Sequence, residues 1–233
     1  MNVILISSLK RQDLLRQSLK SLEANSSSWF AGHHLTIVLD GMVNAVTTDY
    51  WNNEVSANTV IQCAISHGAS AARNIGAASI RKHTRQRHVM FLDDDVWMAP
   101  GWDDRLGTLL NYQRTSICSP YGHPFNQEEE IPGITYARFP LVISSVAMAM
   151  SWEAFDRFGP WDEPGGPGAS EDYALCMRAK AADYGFASTY PHACLHTGLT
   201  NSKGEPIVGA DLEREQNEKL LEFYGMQGKV IFQ

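Results

Sequence analysis

The first hundred residues alternate short apolar runs of strand length with helical patterns, and few folds satisfy that order. The runs are Val3 to Ile6, Leu35 to Leu39, Val60 to Ile65 and His88 to Leu92. Among them lie a helix with Leu15, Leu19 and Leu22 at i, i+4 and i+7, and a small-residue helix from Ala69 to about Lys82. This β-α-β-α order implies an α/β fold with a mostly parallel central sheet and helices on both faces. At 233 residues with 44% hydrophobic and 19% charged side chains, the chain has material for one globular core and is not expected to be disordered.

After Trp102 the alternation loosens. A Pro/Gly-containing stretch runs from Pro120 to Pro140, an apolar segment from Leu141 to Met150, and a loop, GPWDEPGGPG, from Gly159 to Gly168. A helix is expected from Ser170 to about Asp183, and a charged helix from Asp211 to Tyr224. Glu128 to Glu130 read as a solvated loop, Trp152 as core, and Trp161 as either core or a stacking surface for a ligand.

The formal net charge of −7 gives no global basic field for a phosphate backbone. The basic run Arg81 to His88 lies at the amino edge of the predicted sheet, where a solvated helix end is the plainer reading and docking of an anionic partner the alternative. Cys63, Cys118, Cys176 and Cys194 form no CxxC pair, so a reduced compartment and core positions are expected. The opening MNVILISSLKRQD has too short an apolar run for a signal peptide or a span, which points to a cytoplasmic protein with no integral membrane segment.

In open α/β sheets ligands bind outside the carboxyl ends of the strands. Those ends read Ser7-Ser8, Asp40-Gly41, His67-Gly68 and Asp93-Asp94-Asp95, so acids gather on one edge. Three consecutive aspartates after an apolar run repel one another unless a cation or donors stand among them. Oxygen ligands suit Mg2+ or Mn2+. In extended geometry Asp93 and Asp95 share a side while Asp94 points away; the plainer alternative is a solvated acidic loop. GxxxxGK[ST] is absent, and GASAARNIG lacks the GxGxxG spacing. Arg73 could reach a nucleotide, although taken alone an ion pair explains it better.

Together ILISS, IVLDG (Ile37 to Gly41), GASAARNIGAA (Gly68 to Ala78), FLDDDVWMAPGW (Phe91 to Trp102), and FGPWDE followed by SEDYALCMR (Ser170 to Arg178) give a chain that resembles the family 2 glycosyltransferases, which have the GT-A fold. The resemblance implies one GT-A domain over residues 1–200, with a nucleotide-binding half at 1–112, an acceptor-side half at 113–200, and a C-terminal extension at 201–233. It places Ser7 and Asp40 beside the base and ribose of a nucleotide-sugar, with Arg73 on the nucleotide. Asp93 and Asp95 become the DxD pair, Asp93 towards ribose or metal and Asp95 on the metal. Asp94, where the family commonly has a small residue, joins the nucleotide-sugar group. His196 matches a third metal ligand, with His192 as a near competitor. Asp172 becomes the catalytic base, with Glu171 beside it. Acids are also favourable at a helix start for electrostatic reasons alone, and the Gly/Pro loop upstream is a usual place for a closing lid.

The implied activity is metal-dependent transfer of a sugar from a UDP-sugar to an acceptor hydroxyl with inversion, using Mn2+ or Mg2+. The acceptor is open among a glycan, a lipid-linked sugar, a protein, a small molecule and a modified nucleic-acid base. A sugar nucleotidyltransferase would carry a glycine-rich loop after the first strand, and Ser7-Ser8-Leu9-Lys10 has no glycine. A non-catalytic nucleotide-sugar-binding protein of the same fold is the other alternative. The family's Pro-x-Tyr-Asn-like turn is replaced by Ser-Ser-Leu-Lys.

Overall fold

In the computed structural model, which describes residues 1–8, 11–27, 32–41, 57–112, 117–121, 127–131, 134–139, 142–163, 171–190, 192–198 and 210–224, the early apolar runs pair as parallel neighbours. β1 (Asn2–Ser8) lies between β2 (His34–Asp40) and β4 (His88–Asp93), and β3 (Thr59–Gln62) flanks β2. The third strand is shorter than the apolar run suggested. It stops at Gln62, and Ile65, expected inside it, is 67% exposed.

Strand alternation sorts the side chains into two layers. Val3 and Leu5 face one side with Leu15, Leu19, Leu22, Trp102, Leu106 and Leu109 of the Gln12–Ala24 and Trp102–Asn111 helices. Ile4 and Ile6 face the other, against the Ala69–Arg81, Trp152–Phe158 and Glu171–Ala181 helices. The small-residue helix comes close because Gly76 has no side chain; a Cβ there would stand 2.5 Å from Ile4 Cγ2. Trp152 and Trp161 are both core, and all four cysteines are buried and free.

The second half extends the same sheet with mixed directions. β6 (Ile117–Ser119), β7 (Gln127–Ile131), β8 (Ile134–Phe139), β9 (Ala147–Ser151) and β10 (Phe186–Tyr190) complete nine strands in the order β3-β2-β1-β4-β9-β6-β10-β8-β7. The β4–β9, β9–β6, β10–β8 and β8–β7 pairs are antiparallel, whereas β6–β10 is parallel. Glu128 to Glu130, expected in a loop, lie in strand β7. Residues 164–170, which include the second half of the predicted lid loop, and residues 225–233 fall outside the described residues.

A small second sheet completes the frame. β5 (Val96–Met98) pairs antiparallel with β11 (Cys194–His196), setting His196 opposite Val96. On the strand's other side, Ser18 and Ser21 of the Gln12–Ala24 helix accept from Val96 N (3.1 Å) and Met98 N (2.9 Å). Two serines on a buried helix face thus satisfy an edge that would otherwise be orphaned. The Ala210–Phe223 helix packs Leu221 on Trp97 and Leu195, and Asn217 Nδ2 donates to His196 O at 2.8 Å. None of the described helices is long and apolar enough to cross a membrane.

Candidate active site

Strand β4 ends at Asp93, and the chain turns through Asp94 and Asp95 before β5 begins. The extended alternation expected for the triplet therefore fails. Asp94 does not point away: its Oδ2 accepts from Ser7 Oγ at 2.7 Å and its Oδ1 from Arg11 Nη1 at 3.2 Å. Asp95 Oδ2 accepts from the same Nη1 at 2.6 Å and lies 3.2 Å from His196 Nε2. Asp93 turns to a different arginine, accepting from Arg73 Nη2 at 2.6 Å.

Packing three carboxylates here has an electrostatic cost that the structure distributes unevenly. Burial, together with the charge of Asp95, pushes Asp94 up to about 7 despite Ser7 and Arg11. Burial likewise raises Asp93, against the pull of Arg73. Burial alone would raise Asp95 too, but the hydrogen bond and charge of His196, with Arg11, hold it below the usual carboxylate range.

Asp95 Oδ1 is buried without a hydrogen-bond partner among the described residues. Its main-chain oxygen accepts from Thr197 N (2.7 Å) and Thr197 Oγ1 (2.9 Å), and Gly198 packs so tightly that a Cβ there would overlap Asp95 Oδ2. An orphaned carboxylate oxygen beside an imidazole suits a divalent cation. Asp95 and His196 thus come together, while Asp93 sits on Arg73. Among the described residues, three possible ligand atoms lie within 4.8 Å of one another only at Asp40, Cys63 and His67.

Asp40, at the end of β2, is tied down by its own neighbourhood. Its carboxylate accepts from Ser66 Oγ (2.8 Å), His67 N (2.9 and 3.0 Å) and Gly68 N (2.9 Å). These bonds fix the turn into the Ala69–Arg81 helix, where Gly68 has a φ of +87° that favours glycine.

Arg73, 1% exposed, joins the Asp93 end of β4 to the start of the Glu171–Ala181 helix. Its Nη1 donates to Glu171 Oε1 at 3.1 Å, and its guanidinium lies 4.8 Å from the Trp161 ring centroid. Next to Glu171, Asp172 Oδ2 accepts from Ser145 N at 3.3 Å and its Oδ1 from Tyr173 N at 2.7 Å. Tyr173 and Met177, one helical turn apart, stand 53% and 39% exposed beside it. Two further residues were missed in the sequence. Arg11 bridges Asp94 and Asp95, and Arg178 holds the start of the Gly159 loop through Phe158 O (2.7 Å), Pro160 O (3.0 Å) and Asp162 (2.6 Å). Arg178 closes the SEDYALCMR segment, which gives it no role of its own, and Arg11 lies in no motif and is signalled only by its place just after the strand end at Ser7-Ser8.

No family model and no curated protein matches the sequence. Solved structures do. GalNAc-T7 with UDP, GalNAc and Mn2+ superposes with a TM-score of 0.63 at 13% identity, over 81% of this chain and 42% of that one. TarS of S. aureus superposes in its 1–349 form with a TM-score of 0.60 at 16% identity, over 83% and 58% of the two chains. A second TarS structure gives 0.61 at 13% identity, over 99% and 44%. The chain thus has the GT-A glycosyltransferase fold and spans between 42% and 58% of the length of these neighbours.

Proposed function

We propose that the protein is a glycosyltransferase that moves a sugar from a UDP-sugar to an acceptor hydroxyl, with inversion at the anomeric carbon. The observation that carries this reading is Arg73, which spans the Asp93 end of β4 and Glu171 at the start of the Glu171–Ala181 helix. It fixes the separation between a donor-side acid cluster and the acceptor-side carboxylate of Asp172. The UDP and Mn2+ in the GalNAc-T7 structure and the orphaned Asp95 oxygen support the same assignment.

A divalent cation, Mn2+ or Mg2+, would be held by Asp95 and His196, with Asp93 nearby, and would supply charge neutralisation for a departing diphosphate. The remaining chemistry belongs to the chain. Asp172, oriented by Ser145 N and Tyr173 N, accepts the acceptor hydroxyl's proton as that oxygen bonds the anomeric carbon. The bond from that carbon to the phosphate oxygen breaks on the opposite face, and the nucleoside diphosphate leaves. Glu171 and Arg73 are positioning residues in this scheme, because each is engaged with the other. Ser7, Asp40, Asp93 and Asp94 shape the donor edge.

Thermal unfolding with UDP, GDP, CDP and dTDP, each with Mn2+, Mg2+ or chelator, tests the donor. Saturation at about 100 times the dissociation constant adds about 2.7 kcal/mol, and the expected shift appears with UDP and disappears with chelator. Asp172→Asn then tests the base. Turnover falls by roughly 100-fold to 10,000-fold with UDP binding intact. An unchanged rate, or a product of retained configuration, overturns the mechanism.

A further inference from the structure

Two arginines neutralise the acids of the site, and they differ in their freedom to leave. Arg73 is 1% exposed, with Nη2 on Asp93, Nη1 on Glu171 and its plane against Trp161. Arg11 is 31% exposed at its side chain and stands at the start of the Gln12–Ala24 helix, beyond the end of β1. Its Nη1 bridges Asp94 Oδ1 (3.2 Å) and Asp95 Oδ2 (2.6 Å).

Asp95 Oδ2 is the oxygen that faces His196 Nε2 at 3.2 Å. A divalent cation shared by Asp95 and His196 needs the same space, and two cations crowded onto one carboxylate repel each other. Arg11 must then give up Asp95. Its guanidinium, always charged and suited by shape to two phosphate oxygens, would be released at the carboxyl edge of the sheet, where a donor's diphosphate binds.

We propose that Arg11 is a displaceable counter-cation, which neutralises Asp95 while also contacting Asp94 in the metal-free protein and transfers to the diphosphate when metal and nucleotide bind. This inference rests on the nucleotide-sugar reading above. It makes the metal and the nucleotide partners in a linked exchange. Metal alone must evict Arg11 without compensation, whereas metal arriving with a diphosphate provides Arg11 with a new anion. Coupling between the two ligands is reciprocal by linkage. Removing Arg11 frees the metal of a competitor at Asp95 and deprives the diphosphate of a donor, so affinity for metal alone rises and affinity for the nucleotide falls.

The test uses the full chain as wild type, Arg11→Gln, and the control Arg16→Gln, whose residue pairs at the surface with Asp13. Mn2+ binding is read from the paramagnetic resonance of free Mn2+ without nucleotide, and UDP binding from calorimetry at saturating Mn2+. Arg11→Gln is expected to bind Mn2+ alone about tenfold more tightly and UDP about tenfold more weakly, the scale of one charge-assisted hydrogen bond, with Arg16→Gln matching wild type. Arg11→Gln that binds Mn2+ no better than wild type, or UDP equally well, overturns the proposal. If that variant does not fold, a crystal structure of the wild type with UDP and Mn2+ decides. Arg11 on the phosphates supports the exchange, and Arg11 still on Asp95 refutes it. Wild type that takes up neither Mn2+ nor UDP overturns the functional reading itself, an outcome distinct from failure of the Arg11 variant.

Discussion

Asp40 and Asp95 stand near the carboxyl ends of β2 and β4, on the same edge of one sheet, and their oxygens are satisfied in different ways. Both Asp40 oxygens accept from Ser66, His67 and Gly68, within 28 residues in sequence. Those donors cannot leave without unmaking the turn. Asp95 has one oxygen on a half-exposed arginine and an imidazole, and the other on no donor among the described residues. A carboxylate held by its own loop is a structural anchor; one held by long side chains from distant segments can exchange them for a ligand.

Asp95→Asn should separate the two acids most clearly. The variant loses a ligand charge, and the UDP-dependent and Mn2+-dependent thermal shift is expected to vanish, with transferase activity down on the order of 100-fold or more. A retained shift would break the contrast. Gly198→Ala acts on the same carboxylate indirectly, since its Cβ would overlap Asp95 Oδ2. Mn2+ affinity should fall about tenfold, measurable by titration of free Mn2+.

Asp40→Asn should show the reverse signature. It places an amide donor against main-chain donors at His67 and Gly68, and a lost buried acceptor costs about 1 to 3 kcal/mol. A fall in the denaturation midpoint with Mn2+ affinity unchanged is expected. Equal loss of metal binding in Asp40→Asn and Asp95→Asn would merge the two sites into one.

The same contrast explains what could be read in the sequence. β1, β2 and β4 are continuous apolar runs separated by periodic helices, so local pattern alone reveals them. β7 carries Glu128 to Glu130, and β5 and β11 are three residues each, too short for any period to emerge. His196 reaches Asp95 through that inconspicuous pairing. Arg11 escaped notice for a related reason: its partners lie 83 and 84 residues away, and a lone arginine before a helix looks like any solvated charge. The triplet's identity was legible and its direction was not, because the turn at Asp94 and Asp95 depends on β5 finding β11 and the Ser18–Ser21 face.

Asp94 offers the finest distinction, in its dependence on pH. With chelator present, burial and the neighbouring Asp95 hold its folded pKa at about 7, against a reference of 3.8. Between those values the unfolded chain has lost the proton and the folded chain still holds it. The stabilisation from this group is therefore complete below the reference value and is lost as pH rises through about 7. Melting temperature, followed from about pH 5 to about pH 8, should fall relative to Asp94→Asn by a few degrees, roughly the effect of 1 kcal/mol in a chain this long. Parallel curves would mean that Asp94 is already ionised throughout, held there by Arg11. Such a result would also make Arg11 harder to displace, tightening the connection between this small effect and the exchange proposed at Asp95.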